Sequence, residues 1–176
     1  LRGYLQGKRF WRQYGAIPIQ TTEVKTMNLS PHFTLEELTH SQQAVRGRID
    51  NTPSKSVLMN LNKIADLLEA VRQLLGEHPI QISSGFRCNK LNTLIGGAKN
   101  SQHVLGLAVD FICPSYGTPK EICQTLLTSG LKFDQMICEG SWVHLSLADV
   151  MAEPRNQVLT AVFEPGRRTQ YREGLA

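Results

Sequence analysis

The chain is predicted to fold as an α+β domain, and three observations lead there. Leu58, Leu61, Ile64, Ala65, Leu68, Val71 and Leu75 recur at the spacing of one helix face. Residues 106–111 and 142–147 alternate between apolar and polar or small side chains, the period of a strand. Residues 133–138 and 142–147 are joined by Glu139-Gly140-Ser141, a short glycine-containing loop that predicts a hairpin. With 176 residues, 41% of them hydrophobic and 19% charged, the chain can bury one ordinary core without disulfide or metal staples.

The elements follow in order. Thr34 and Glu37 have capping-box spacing and open a short helix over LEEL, with Phe33 and Leu38 placed as a hydrophobic staple. Asn51-Thr52-Pro53-Ser54 punctuates the next loop, the long amphipathic helix follows, and Gly76 is its natural stop. Residues 80–83 alternate as a strand that breaks at Ser84-Gly85 and delivers Phe86 and Arg87 at its end. A helical turn over 90–95, a flexible GGAKNS loop at 96–101 that reaches over the site, and the 106–111 strand complete the middle of the chain. Thr118 and Glu121 repeat the capping box, with Pro119 at the first helical position, and open a crossover helix that stops at Gly130. After the hairpin, periodicity is weak, and one further strand is expected at 158–163.

Charge is unevenly placed. Residues 1–26 carry Arg2, Lys8, Arg9, Arg12 and Lys25 against Glu23, which accounts for the whole net charge of +4; the remainder is balanced. Residues 1–26 are therefore expected to be a basic extension and 27–176 the domain, with the motif-bearing core at about 30–150. A neutral domain argues against nucleic acid as partner. No run has the length of a membrane-spanning helix, so no membrane anchor is expected, and no signal peptide is recognised. Cys88, Cys113, Cys123 and Cys138 form no Cys-x-x-Cys pair and are expected to be free thiols.

The chemistry concentrates in two segments, SQHVLGLAVD at 101–110 and WVHLSL at 142–147. In the first, Leu107, Val109 and Phe111 point one way, while Gly106, Ala108 and Asp110 point the other, leaving a face stripped of bulk beside Asp110. In the second, His144 lies opposite the apolar Val143, Leu145 and Leu147. With His103 entering from the preceding turn, His103, Asp110 and His144 can hold a zinc ion and leave a coordination position for water. Gly106 and Ala108 are read as small because a metal and a substrate need the space. Zinc held by three side chains lowers the pKa of its water from 15.7 to about 7.

Such a site also needs an acid/base group that does not bind the metal. Glu139, in the hairpin feeding His144, is the candidate, against the alternative of an exposed turn residue; Asp134 is the reserve. Arg87 can hold a substrate carboxylate or carbonyl oxygen through its planar fork, or form a structural salt bridge. Ser101 and Gln102 either bind substrate or cap the turn before the strand, and Trp142 floors the cleft or shields His144. Other hydrolase plans fit poorly. There is no His-Glu-x-x-His helix and no Gly-x-Ser-x-Gly elbow, and the Ser129-x-x-Lys132 spacing falls at a helix end without a Lys-Thr-Gly.

At these residues the chain resembles the zinc D-Ala-D-Ala carboxypeptidase superfamily, which includes phage L-alanyl-D-glutamate endolysins and the Hedgehog domain. The matching pattern is Ser-x-His-x-x-Gly-x-Ala-x-Asp, present without gaps at Ser101, His103, Gly106, Ala108 and Asp110, followed by the strand-borne His144. SGFR at 84–87 resembles a family segment, and FTLEELTHSQ with IDNTP resembles the amino-terminal part of small phage and prophage members. The resemblance implies a small antiparallel sheet with helices packed on one side. It also implies zinc on His103, Asp110 and His144, Arg87 orienting substrate, and an acid/base carboxylate shortly before the last His. Some members carry that carboxylate three residues before the His, where this chain has Ser141; Glu139, five before, is closer to the Hedgehog arrangement.

The expectation is a monomeric zinc peptidase acting on peptidoglycan stem peptides, in phage or prophage lysis, kept in the bacterial cytoplasm until release to the cell wall. The competing expectations are a zinc-containing binding module of Hedgehog type, and a phage structural component with local wall-degrading activity.

Overall fold

The computed structural model describes residues 27–175, so the expected basic extension at 1–26 lies outside the described residues. Helices α1 (Leu35–Thr39), α2 (Gln42–Arg46) and α3 (Lys55–Leu74) come first. They are followed by β1 (Gln81–Ser84), α4 (Asn89–Leu94), a 3-10 helix (Gln102–Leu105) and β2 (Ala108–Ile112). Then come α5 (Pro119–Thr128), β3 (Gln135–Cys138), β4 (Val143–Ser146), β5 (Gln157–Val162) and β6 (Gln170–Glu173). Among the described residues no helix is long and apolar enough to cross a membrane.

Both capping boxes form. Thr34 and Thr118 accept from the backbone N–H of Glu37 and Glu121, whose carboxylates reach back to the cap N–H groups. Phe33 and Leu38 are buried as the staple requires. Ser54 caps α3 by accepting from Val57 N–H, and the predicted stripe from Leu61 to Leu75 is buried, with Leu67 added and Leu58 only half-buried. Gly76 ends the helix with φ of +70°, where a side chain would be strained.

The six strands form one sheet in the order β1-β2-β4-β3-β5-β6. The α+β class holds, but the sheet is mixed: β3 and β5 pair in parallel, and the other pairings are antiparallel. The connection at 147–156 causes this, because it carries the chain from β4 past β3 and brings β5 back in the direction of β3. Likewise β2 and β3 both run antiparallel to the intervening β4, so α5 is the crossover that the sequence predicts.

Strand alternation divides the sheet into two faces. Val109, Phe111, Met136, Cys138, Val143 and Leu145 join Leu61, Ile64, Leu68, Ile122 and Leu126 in the main core, so α3 and α5 cover one face. Each such fully buried aliphatic or aromatic side chain contributes about 2 kcal/mol. The opposite face carries Asp110 and His144, and the functional cleft opens there. All four cysteines are free.

Candidate metal centre

Asp110 on β2 and His144 on β4 are direct partners across an antiparallel ladder. Alternation turns both side chains away from the core, and His144 Nδ1 lies 2.8 Å from Asp110 Oδ1. His103 arrives from the 3-10 helix before β2 and is buried. Its Nδ1 donates to the carbonyl oxygen of Gly85 at 2.7 Å, which leaves Nε2 as the electron-pair donor. That Nε2 is 3.3 Å from both Asp110 Oδ1 and His144 Nδ1.

These separations test the donor set against a metal. A tetrahedral zinc site with bonds of 2.0–2.1 Å has edges of about 3.3 Å, so atoms 2.8–3.3 Å apart surround one ion with little movement. Protonation agrees. Burial pushes the His103 imidazole below its ordinary value, and the Arg87 charge adds to this against the pull of Asp110. Burial works against charge on Asp110, yet His103 and His144 outweigh it and hold the carboxyl well below the usual carboxylate range. A neutral imidazole and an ionised carboxylate are the forms a metal requires.

The scaffold under His103 rests on residues that spacing alone does not single out. Gly85 touches the end of α1 so closely that a Cβ would lie 2.3 Å from the Leu38 carbonyl oxygen. Phe86 N–H donates to that oxygen at 2.7 Å, and Arg87 N–H donates to the His103 carbonyl. Asn51 clasps the same segment: its Nδ2 donates to the Thr39 and Phe86 carbonyls, and its Oδ1 accepts from Cys88 N–H. Asn51 and Gly85 thus act on the centre through backbone contacts between remote segments.

Gly106 is not small in order to clear space for a metal and a substrate. Its φ is +68°, and a Cβ there would lie 2.8 Å from Val57 Cγ1 and 3.1 Å from the Val57 carbonyl oxygen. Approach of the 3-10 helix end to α3, not space for a metal, demands glycine. The strand accordingly begins at Ala108 rather than at 106.

Around the three donors lies a cleft of about 700 Å³, and Arg87, Ser101, Gln102, Glu139 and Trp142 all line it. The glycine loop contributes Gly96, Gly97 and Ala98 to its rim. The Arg87 Nε is buried without a hydrogen-bond partner, a donor available to a ligand. Burial pushes its guanidinium pKa down, while Asp110 pulls it up. Glu139 is half-buried, and its N–H closes the hairpin to the Trp142 carbonyl at 3.0 Å. Burial and the charge of Asp110 push the Glu139 carboxyl up.

Gln102 is held from within: its Nε2 donates to Asp134 Oδ2 at 2.9 Å and to the Leu147 carbonyl at 2.8 Å, and its Oε1 accepts from Arg155. Asp134 is the buried acceptor of this network and takes four further hydrogen bonds from Arg155: its N–H to Oδ1, its Nε to both carboxylate oxygens and its Nη2 to Oδ2. Both carboxylate oxygens are occupied, so Asp134 anchors the turn carrying His103 and is not a reserve base. The far wall, with Ile137, Leu159, Phe163 and Tyr171, comes largely from the weakly periodic end of the chain, where no residue pattern marks a site.

An α+β sheet presenting two imidazoles and a carboxylate in an open cleft has the plan of a metal-dependent hydrolase. The Peptidase M15 family model matches residues 31–146, which include His103, Asp110 and His144, and the chain belongs to this peptidase family. A zinc D-Ala-D-Ala carboxypeptidase from Streptomyces albus G is 42% identical over 50 residues. That stretch is 28% of this chain and spans 20% of the length of the Streptomyces protein.

Proposed function

We propose that this protein is a zinc-dependent peptidase that hydrolyses peptide bonds of peptidoglycan stem peptides, with His103, Asp110 and His144 as the zinc ligands. The observation that carries the reading is the convergence of three donor atoms at 2.8–3.3 Å in the cleft that also holds Glu139 and Arg87. Membership of a peptidase family and the partial likeness to a zinc D-Ala-D-Ala carboxypeptidase support it.

When bound, zinc supplies Lewis-acid polarisation of a carbonyl and acidifies water to a pKa of about 7. The chain's own groups do the rest. Glu139, half-buried in the hairpin that feeds His144, takes the proton of the attacking water and returns it to the departing amine. Arg87, with its unpaired buried Nε, orients the substrate by donating to a carboxylate or carbonyl oxygen. The Gly85 carbonyl keeps the His103 ring in the ligating orientation throughout. The bond cut is of the D-Ala-D-Ala or L-Ala-D-Glu type, and the biological setting is phage or prophage cell-wall lysis.

Mass spectrometry of purified peptidoglycan after digestion tests this reading and names the bond. Zinc-loaded wild type is expected to release defined stem-peptide fragments, and Glu139→Gln to release none. Unchanged cleavage by Glu139→Gln would remove Glu139 from the mechanism. Absence of cleavage by the wild type would favour a zinc-containing binding module instead.

A further inference from the structure

The sheet face that carries the candidate metal centre also carries an apolar cluster separate from the main core. Asp110, His144, Ile137 and Leu159 form one row across β2, β4, β3 and β5, each the direct cross-strand partner of the next. Alternation turns Ile137, Leu159 and Ala161 away from Met136, Cys138 and Val158, which face the helices. Ile137 and Leu159 line the same cleft as His144. Phe163 lines it too, although 55% of its surface is exposed, and its ring rests on the hairpin glycine, where a Cβ on Gly140 would lie 3.4 Å from it. An apolar floor beneath an exposed aromatic rim is therefore continuous with the ligand row.

Polar groups border this strip. Glu139 lies one alternation step beyond Ile137, and Gln135 and Gln157, hydrogen-bonded to each other at 2.6 Å, lie one step before Ile137 and Leu159. Neighbouring strands are about 4.8 Å apart, so a residue adjoining a bond held beside His144 projects its side chain over Ile137 and Leu159. A charged side chain there would be desolvated against two buried aliphatic groups, whereas an aliphatic one exchanges water for dispersion contacts.

We propose that Ile137 and Leu159, walled by Phe163, form a specificity subsite for an aliphatic side chain on the residue adjoining the scissile bond. The proposal rests on the peptidase reading above. The test uses short peptides in both configurations, differing only in the residues flanking the scissile bond: Ala, Leu, Asp or Lys. For zinc-loaded wild type, kcat/KM should favour Ala and Leu over Asp and Lys by at least about tenfold at one flanking position. Leu159→Ala should raise the Leu-to-Ala ratio about tenfold at that position by deepening the floor. Phe163→Ala alters an exposed residue, so it leaves the core intact and decides the question should Leu159→Ala fail to fold; it should lower the aliphatic preference several-fold. Unchanged ratios in the variants that fold would overturn the subsite. If the wild type cleaves none of the peptides, calorimetric affinities for the same series replace kcat/KM. An aliphatic preference in binding that moves in the variants would then uphold the subsite and sink the peptidase reading; a flat series would sink both.

Discussion

Asp110 and His144 are held 2.8 Å apart by the register of β2 against β4. Two of the three candidate ligands thus stand on paired strands, and the third is fixed by a hydrogen bond to the Gly85 carbonyl, so little ordering remains for an arriving ion to enforce.

Zinc should stabilise the fold. At a free concentration about 1,000 times its dissociation constant, one ion contributes about 4 kcal/mol, readable as a rise in thermal midpoint by calorimetry. His103→Ala or His144→Ala should lower zinc affinity on the order of 100-fold or more and so cut zinc's contribution at the same concentration to about 1.4 kcal/mol or less, with the secondary-structure content kept. An undiminished zinc-induced shift in both variants would count against these ligands.

Gly85→Ala should damage the centre without touching a ligand. Its Cβ would meet the Leu38 carbonyl oxygen at 2.3 Å, so the loop must move, at a cost of about 3 kcal/mol. Because the same residue orients His103, zinc affinity should fall by roughly 10- to 100-fold. Denaturant unfolding and competitive metal titration read the two effects separately.

The Asp134 network should give stability a defined dependence on pH. Burial opposes ionisation of this carboxyl, but hydrogen bonds from Arg155 and Gln102 outweigh it and lower its pKa. A depressed folded pKa means the contribution is complete above the unfolded value of about 3.9 and is lost as pH falls through the folded one. Wild type should exceed Asp134→Asn by about 2 kcal/mol near neutrality, and the gap should close at more acid pH, as thermal melts across the range would record. A gap independent of pH would remove the ionised carboxylate from the explanation.

Arg87→Lys should separate substrate orientation from metal binding. Lysine keeps the charge but loses the planar fork, so kcat/KM should fall by at least about tenfold while zinc content stays at wild-type level. Steady-state kinetics with metal analysis on the same preparations would show it; equal loss of both would make Arg87 a structural residue.

What could be read in advance was whatever is local in sequence. Capping boxes, the α3 stripe, the Glu139–Ser141 hairpin loop and the face bearing Asp110 and His144 each depend on residues a few positions apart. Helix α2 and strand β6 escaped because they are short: α2 announces itself only by the Ser41 cap, and β6 (Gln-Tyr-Arg-Glu) is exposed throughout and has no apolar alternation. The parallel pairing of β3 with β5 is non-local, and nothing in either strand encodes it. The same limit hid the reason for Gly85, whose constraint comes from Leu38, and for Gly106, whose constraint comes from Val57. Asp134 reads as a spare acid in sequence, and only the fold brings the distant Arg155 onto both its oxygens.

Dependence of the peptidase on one metal at His103, Asp110 and His144 can be read from peptidoglycan digestion before chelation, after chelation, and after return of zinc. Fragment release should be lost on chelation and recover at one zinc per chain, with no recovery in His144→Ala. Digestion untouched by the chelator would contradict that dependence.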